Sequence, residues 1–230
     1  MGRPRSNDYD GKRREILDRS AVLFAEHGFA NTTVSMIAAA CGASKGRLYH
    51  YYDSKEAVLF DLLDSHIRSL LSAVRTACAT AAPSDNPRIR FELLAGALLR
   101  AYRYADCKHR VQLNDLGRLP PAQQRHIRDM ERQVVDVFAV ALLDCAPHLR
   151  ATPAHVKPVT MSVLGMLNWQ HTWFRSDGPL DLDDYVRLVV GIVLDGIHFP
   201  AEGISAGVGD RHLAPRGPSP PSTGDTGRAR

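Results

Sequence analysis

Apolar residues recur at spacings of three and four along nearly the whole chain, and no segment sustains the alternate-residue pattern of a half-buried strand. That periodicity dictates an all-α protein. A length of 230 residues leaves room for a small helical domain joined to a larger one. With 44% hydrophobic and 23% charged residues the composition is that of an ordinary globular protein, and no apolar run approaches the ~18 residues that a membrane span needs. The opening Met1-Gly-Arg-Pro-Arg-Ser is charged but has no apolar region behind it, so no secretory signal, no membrane partner and a cytoplasmic location are expected. A formal charge of +4 permits a polyanionic partner without identifying one. Cys41, Cys78, Cys107 and Cys145 lie far apart without a C-x-x-C pair, which points to buried free thiols rather than a metal site.

Helix signals divide the chain. Residues 1–10 are polar and include Arg3, Pro4 and Arg5, so a flexible basic arm is expected before a helix capped by Asp10. Ile16, Leu17, Ser20, Ala21, Phe24 and Ala25 mark the buried face of that helix, which Gly28 ends. Thr32 or Thr33 caps a second helix running to about Cys41–Gly42, and Ser44 caps a third of barely two turns. Asp53 with Glu56 resembles a capping box for a long fourth helix carrying Val58, Leu59, Leu62, Leu63, Ile67, Leu70, Leu71 and Val74. Further helices are predicted at about 88–106, 109–117, 121–145, 154–175 and 182–198, with Thr152-Pro153 as cap and first helical residue of the fourth of these. Gly, Pro, Ser and Thr crowd residues 200–230, which predicts a disordered tail.

Residues 34–53 carry the most specific pattern. A DNA-reading helix-turn-helix needs a small residue where its helices approach, a turn residue tolerant of positive φ, and apolar residues that set the crossing. Ala38, Gly42 and the set Ile37, Leu48 and Tyr51 meet these needs at the right spacings. A two-turn helix beginning Ser44-Lys-Gly-Arg buries little, so its exposed face has another use. Lys45 and Arg47 read either as base-contacting or as merely solvated cations, and Tyr49 and Tyr51 either as contacts or as core, the core reading being stronger for Tyr51.

From Arg14 to about Leu63 the chain resembles the TetR family of bacterial transcriptional regulators. The resemblance lies in Ala25-Glu-His-Gly-Phe-Ala-Asn-Thr-Thr-Val, Ile37-Ala-Ala-Ala-Cys-Gly-Ala-Ser-Lys-Gly-Arg-Leu-Tyr-His-Tyr-Tyr and Ser54-Lys-Glu-Ala-Val-Leu. Departures are small: Cys41 stands where alanine is usual, Ala43 where a larger aliphatic is usual, and Tyr52 where phenylalanine is usual. The resemblance implies a dimer on double-stranded operator DNA, with Thr33, Tyr49, His50 and Lys55 on the phosphate backbone. It also places Ser44, Lys45, Gly46 and Arg47 at the base edges of a major groove. Arg47 is the sharpest candidate, because a guanidinium fork pairs with guanine O6 and N7. Arg3 and Arg5 either place an arm in the minor groove or make no contact. The implied organisation is a basic arm over 1–10, a helix-turn-helix domain over 11–56, a helical effector-binding and dimerisation domain over 57–199, and the tail over 200–230.

Within the second compartment, Gly165, Gly191 and Gly196 sit among Val159, Val163, Leu167, Leu188, Val189, Ile192, Val193 and Ile197, so close backbone approach in a dimer-forming four-helix bundle is expected there. The run Gly165-Met-Leu-Asn-Trp-Gln-His-Thr-Trp-Phe-Arg-Ser-Asp-Gly-Pro-Leu, with Asn114-Asp-Leu-Gly-Arg-Leu-Pro-Pro, resembles the PaaR-type repressors of phenylacetate catabolism within that family. The resemblance implies a CoA thioester effector, phenylacetyl-CoA first, with a fatty acyl-CoA, a steroid-derived CoA or another hydrophobic small molecule as alternatives. Such a ligand needs an apolar hole and cations for its phosphates. Tyr102, Trp169, Trp173 and Phe174, with Tyr104, are candidates for the hole; Arg103, Arg110, Arg118 and Arg128, with Arg125 and Arg132, are candidates for the cations. Ordinary core packing for the aromatics and a solvated helix face for the arginines remain the competing readings.

Catalysis is not expected. The ten histidines form no H-E-x-x-H, Cys107-Lys-His109 is too small a cluster for a metal site, and neither G-x-S-x-G nor a phosphate loop is present. No cofactor or metal is expected. A sensor or interaction module without DNA binding is the remaining alternative, and the intact polar run Ser44 to His50 argues against it.

Overall fold

A computed structural model of the protein describes residues 4–80, 86–175 and 177–196, and these contain helices and no strand. Helix α1 spans Pro4–Asn31, α2 Val34–Ala40, α3 Lys45–Tyr49 and α4 Lys55–Thr80. Beyond them come α5 (Pro87–Tyr104), α6 (Asp106–Asp115), α7 (Pro121–Cys145), α8 (Pro153–Trp169) and α9 (Leu182–Gly196), with single 3-10 turns after α6, α7 and α8. None of these helices is long and apolar enough to cross a membrane.

Local chemistry sets most boundaries. Gly28 adopts φ +77° and ψ 155°, a conformation closed to side chains, and breaks α1 there. Thr33 caps α2 by accepting the Met36 N–H at 3.2 Å, whereas the Thr32 hydroxyl is buried and donates back to Gly28 O at 2.9 Å. Gly42 takes φ +59° in the turn before Ser44, whose Oγ accepts the Arg47 N–H at 3.2 Å. Ser54 rather than Asp53 caps α4: its hydroxyl accepts the Ala57 N–H at 3.0 Å, one residue later in register than the sequence pattern indicated. Thr152 holds the cap position of α8 without a side-chain bond, and Pro153 is the first helical residue as expected.

The N-terminal segment departs from expectation. Helix α1 already begins at Pro4, whose fixed φ suits a first helical position, so residues 4–10 are helical rather than an arm. Tyr9 stacks on Tyr51 with ring centroids 4.9 Å apart, and Lys12 reaches Cys41 O at 3.3 Å, which anchors the extra turns to the helix-turn-helix. Arg3 and the tail over 200–230 lie outside the described residues.

Two separate cores do not form. Helix α4 buries Val58 and Leu59 at one end and Leu70, Leu71 and Val74 at the other, so a single apolar core runs from Ile16 to Val193. α4 packs on α5 and α7, α6 packs on α1, and α9 packs on α5 and α8. Of the cysteines only Cys41 is buried; Cys107 and Cys145 are half-buried and Cys78 is exposed, all as free thiols.

Candidate nucleic-acid interface and internal cavity

The short α3 owes its position to its neighbours. Leu48 is its buried residue and packs into the core with Ile37, Ala38 and Cys41. Arg13 Nη2 pairs with Asp61 at 2.8 Å, and Tyr52 donates its hydroxyl to the same carboxylate, so α1, the turn after α3 and α4 are bolted together. Burial and the Asp61 carboxylate push the Tyr52 phenol well above its ordinary range, keeping it a neutral donor.

With Leu48 fixed inward, the rest of α3 faces solvent. Ser44, Lys45, Gly46, Arg47, Tyr49 and His50 are all exposed, together with Thr33 at the start of α2. Among the described residues, the side chains of Lys45, Arg47 and His50 make no ion pair or hydrogen bond; Lys45 Nζ lies 5.9 Å from the centroid of the Tyr49 ring. Thr33 and Ser44 use an oxygen lone pair for capping and keep the hydroxyl proton to donate. The surface therefore offers unpaired cations and free hydroxyl donors on a helix about 7.5 Å long, small enough for a major groove.

Lys55 is placed differently from the phosphate-gripping position expected of it. Its Nζ donates to Phe29 O at 2.6 Å and Thr32 O at 2.8 Å, approaches Ala30 O at 3.4 Å, and lies 4.3 Å from the Phe29 ring centroid. The ammonium has three protons, and the carbonyls where α1 ends take them. Lys55 ties α4 to α1. Tyr51 is half-buried against Tyr9, in line with its core reading.

Between α4, α5, α6, α7 and α8 lies a cavity of about 700 Å³. Ile67, Leu70, Tyr102, Val134, Val156 and Leu164 give it an apolar body, while Arg128 and Arg132 of α7 and Lys157 of α8 are exposed lining residues. One polar wall is buried. His109 stacks on Tyr102 with ring centroids 3.9 Å apart, Nε2 of His109 bonds the Asn168 side-chain oxygen, and Nδ1 faces Nε2 of His66 at 3.5 Å. Burial above all, reinforced by neighbouring cationic charge, pushes His66 down to about 3; burial, outweighing the Asn168 bond, pushes His109 down to about 4. Both imidazoles are neutral near pH 7. No group of three His, Cys, Asp or Glu side chains among the described residues could hold a metal ion.

Of the eleven candidate ligand residues, Tyr102, Arg128 and Arg132 line this cavity and eight do not. Trp169 and Trp173 are 66% and 51% exposed at the outer end of α8, where Trp173 meets Phe174 and Tyr185 edge-on. Arg103 stacks over Phe174 beside a separate shallow hollow. Arg110 turns to Ala25 O at 3.3 Å, and Arg118 to Asp115 at 3.9 Å. Trp169, Trp173 and Phe174 lie at and beyond the C-terminal end of α8, past Asn168, the last residue of that helix to line the cavity. His66, His109, Gln112, Glu131, Lys157 and Asn168 were not singled out as ligand residues, being scattered over four helices with no local signature.

Helix α6 faces two ways. His109 and Gln112 line the cavity, whereas Lys108 Nζ grips Asp18 of α1 at 2.6 Å and Arg110 grips the carbonyl of Ala25 near the end of the same helix. The glycines thought to pack closely do not do so within one protomer. No other part of the described chain lies within 4 Å of where a side chain would start at Gly165 or Gly196, and Gly191 faces the Arg88 side chain at 3.4 Å.

Comparison with known proteins matches both halves. Residues 16–62 fit the family model for bacterial regulatory proteins of the tetR family, and residues 84–197 that for the tetracyclin repressor-like C-terminal domain. A TetR-family transcriptional regulator from Bordetella parapertussis is 36% identical with a TM-score of 0.74, covering 80% of this chain and 95% of that one. The HTH-type transcriptional repressor KstR2 of Rhodococcus jostii is 26% identical over 209 residues, 87% of this chain and 99% of the relative. AibR, solved in complex with isovaleryl coenzyme A and operator DNA, is 25% identical with a TM-score of 0.68, covering 79% of this chain and 97% of that one. With this fold, these two matched segments and a full-length relative above 30% identity, the chain belongs to the TetR family of transcriptional regulators.

Proposed function

We propose that the protein is a repressor that binds operator DNA as a homodimer and is released by a CoA thioester. Thr33, Ser44, Lys45, Gly46, Arg47, Tyr49 and His50 form the DNA surface, with Arg47 reading a base edge and the hydroxyls and His50 meeting phosphates. Lys55 holds that surface in place from behind. Self-association uses exposed Trp169 at the end of α8 with Leu188 and Ile192 on α9, large apolar side chains left in solvent in a single protomer. The open space beside Gly196 would admit a partner's backbone.

The observation that carries the effector reading is the cavity itself: an apolar body for an acyl group, with exposed Arg128, Arg132 and Lys157 for phosphates. AibR was solved with isovaleryl coenzyme A, which supports the same ligand class here. Phenylacetyl-CoA, and with it control of aromatic-acid catabolism, is the first candidate from the C-terminal sequence run. A steroid-derived CoA thioester is the second, from the likeness to KstR2, described as a ketosteroid regulator in its Mycobacterium tuberculosis form. Occupancy acts through α6, whose Lys108 and Arg110 hold α1, the helix behind the DNA surface. A ligand that favours a shifted α6 lowers operator affinity by the difference in its affinity for the two states.

The test is a gel shift of the full chain on its own promoter with phenylacetyl-CoA, isovaleryl-CoA, a steroid-derived CoA thioester and free phenylacetate. Release by one thioester and not by the free acid supports the reading. A specific complex that none of the thioesters disturbs contradicts it.

A further inference from the structure

Helix α7 has concave surface on both sides. Its buried stripe of Ile127, Met130, Val134, Phe138 and Leu142 faces the core. At about 100° per residue, Arg128, Val135 and Ala139, which line the cavity described above, lie on one flank of that stripe, and Val137, Val140 and Ala141 lie on the other. This second flank forms a groove of about 450 Å³ with Cys78 near the end of α4 and with Arg90 and Leu94 of α5. Leu94 is 1% exposed and Val140 62% exposed, so the apolar lining runs from the core out to solvent.

The ionised groups of the groove do not balance. Arg90 approaches Asp144 at 3.7 Å and Arg150 approaches the same carboxylate at 3.6 Å, both beyond hydrogen-bond distance. Asp136, on the exposed ridge of α7 and lining both the groove and the cavity, makes no ion pair or hydrogen bond among the described residues. Arg132, one turn before it, is paired with Asp129. The stretch of helix from Asp136 to Asp144 rises about 12 Å, more than the ~10 Å Debye length at 0.1 M salt, so the guanidinium groups near Asp144 leave Asp136 uncompensated.

That imbalance selects the occupant. An anionic ligand would meet two carboxylates against a single lining arginine already drawn to one of them. A wholly apolar ligand would cover Asp136 with hydrocarbon and take water from a charge without replacing it. An apolar body that ends in a cation avoids both costs. We infer that the groove between α4, α5 and α7 is a second ligand site, taking a protonated amine with an apolar body whose ammonium is received by Asp136. It lies on the other flank of α7 from the thioester cavity and does not depend on that reading.

Cys78 supplies the probe. It is an exposed free thiol on the groove wall, whereas Cys107 is a half-buried thiol on α6 and does not line the groove. Alkylation of each by N-ethylmaleimide is followed on the full chain by peptide mass spectrometry near neutral pH, with phenylbutylamine, phenylbutanol or phenylbutanoate present. The three share one apolar body and differ in charge. The amine is expected to slow Cys78 alkylation at about fivefold lower concentration than the alcohol, the size of a good solvent-exposed ion pair, with the carboxylate weakest and Cys107 unaffected. Asp136→Asn should bring the amine to the level of the alcohol. Val140→Lys, which sets a tethered ammonium in the groove at an already exposed position, should remove the protection while urea unfolding shows an intact fold. Equal protection by all three probes, amine protection that survives both variants, equal slowing of Cys107, or no slowing of Cys78 at millimolar amine overturns the inference. A Cys78 rate that falls as protein concentration rises, with no amine present, makes the groove a contact between copies and overturns it as well.

Discussion

Replacing Lys55 by methionine distinguishes a structural lysine from a DNA-gripping one. The substitution keeps the aliphatic stem against Phe29 and removes the ammonium from Phe29 O at 2.6 Å and Thr32 O at 2.8 Å. Hydrogen bonds involving a charged group contribute about 1.5–3 kcal/mol each, and partial exposure of Lys55 argues for the lower end. The cation over the Phe29 ring adds about 0.5–1 kcal/mol. A loss of about 3 kcal/mol is therefore expected in urea unfolding, a large part of the ~5–15 kcal/mol that holds a domain together. Operator binding by the folded fraction should keep its salt dependence, because no phosphate contact has gone. A stability change under about 0.5 kcal/mol, with the log–log salt slope falling by about 0.9 for each protomer, would refute this reasoning and return Lys55 to the phosphate backbone.

Arg47→Ala should cost about 1–3 kcal/mol on the best operator and much less on a variant altered at the base pair it reads, measured by anisotropy on a set of point-mutated duplexes; equal losses on every duplex would make Arg47 a non-specific contact. The buried imidazoles predict acid sensitivity. Their folded-state values of about 3 for His66 and about 4 for His109 lie below the unfolded value, so their stabilising contribution is complete above about pH 6.5 and is lost as pH falls below it. Between pH 7 and 5 the loss is on the order of 2 kcal/mol for each histidine, and a flat unfolding free energy over that window in wild type would count against a buried neutral pair. Trp173→Ala, at a side chain that meets Phe174 and Tyr185 outside the cavity, should leave thioester affinity within about twofold; a tenfold loss would bring that ring back to the ligand.

Much of the fold was legible because helix ends are written in short-range chemistry. Thr33, Ser44, Gly28 and Gly42 each act through atoms within four residues, and the pattern identified all of them. The N-terminus misled because what orders Pro4 to Asp10 is Tyr9 against Tyr51, a contact across the fold. Asp53 and Ser54 are both good caps, and only the turn out of α3 decides between them. The exposed face of α3 was legible for the same local reason: once Leu48 points inward, the polar residues beside it point out. The cavity was not. Its wall draws Ile67, Tyr102, His109, Glu131 and Asn168 from five helices, and nothing in their spacing distinguishes them from core or surface. Trp169 and Trp173 drew attention as large aromatics, but both are more than half exposed and neither lines the cavity.

The claim on which the account depends is that one molecule holds two sites joined by a single free energy. Linkage requires that the factor by which a thioester weakens operator binding equals the factor by which operator DNA weakens thioester binding. Both are measurable on the wild-type dimer, the first by anisotropy of a labelled promoter duplex at saturating thioester, the second by calorimetry with and without that duplex. The account predicts matching factors in the range of about 5–150. Thioester affinity that is the same with and without the operator, in a chain that binds both, would contradict it.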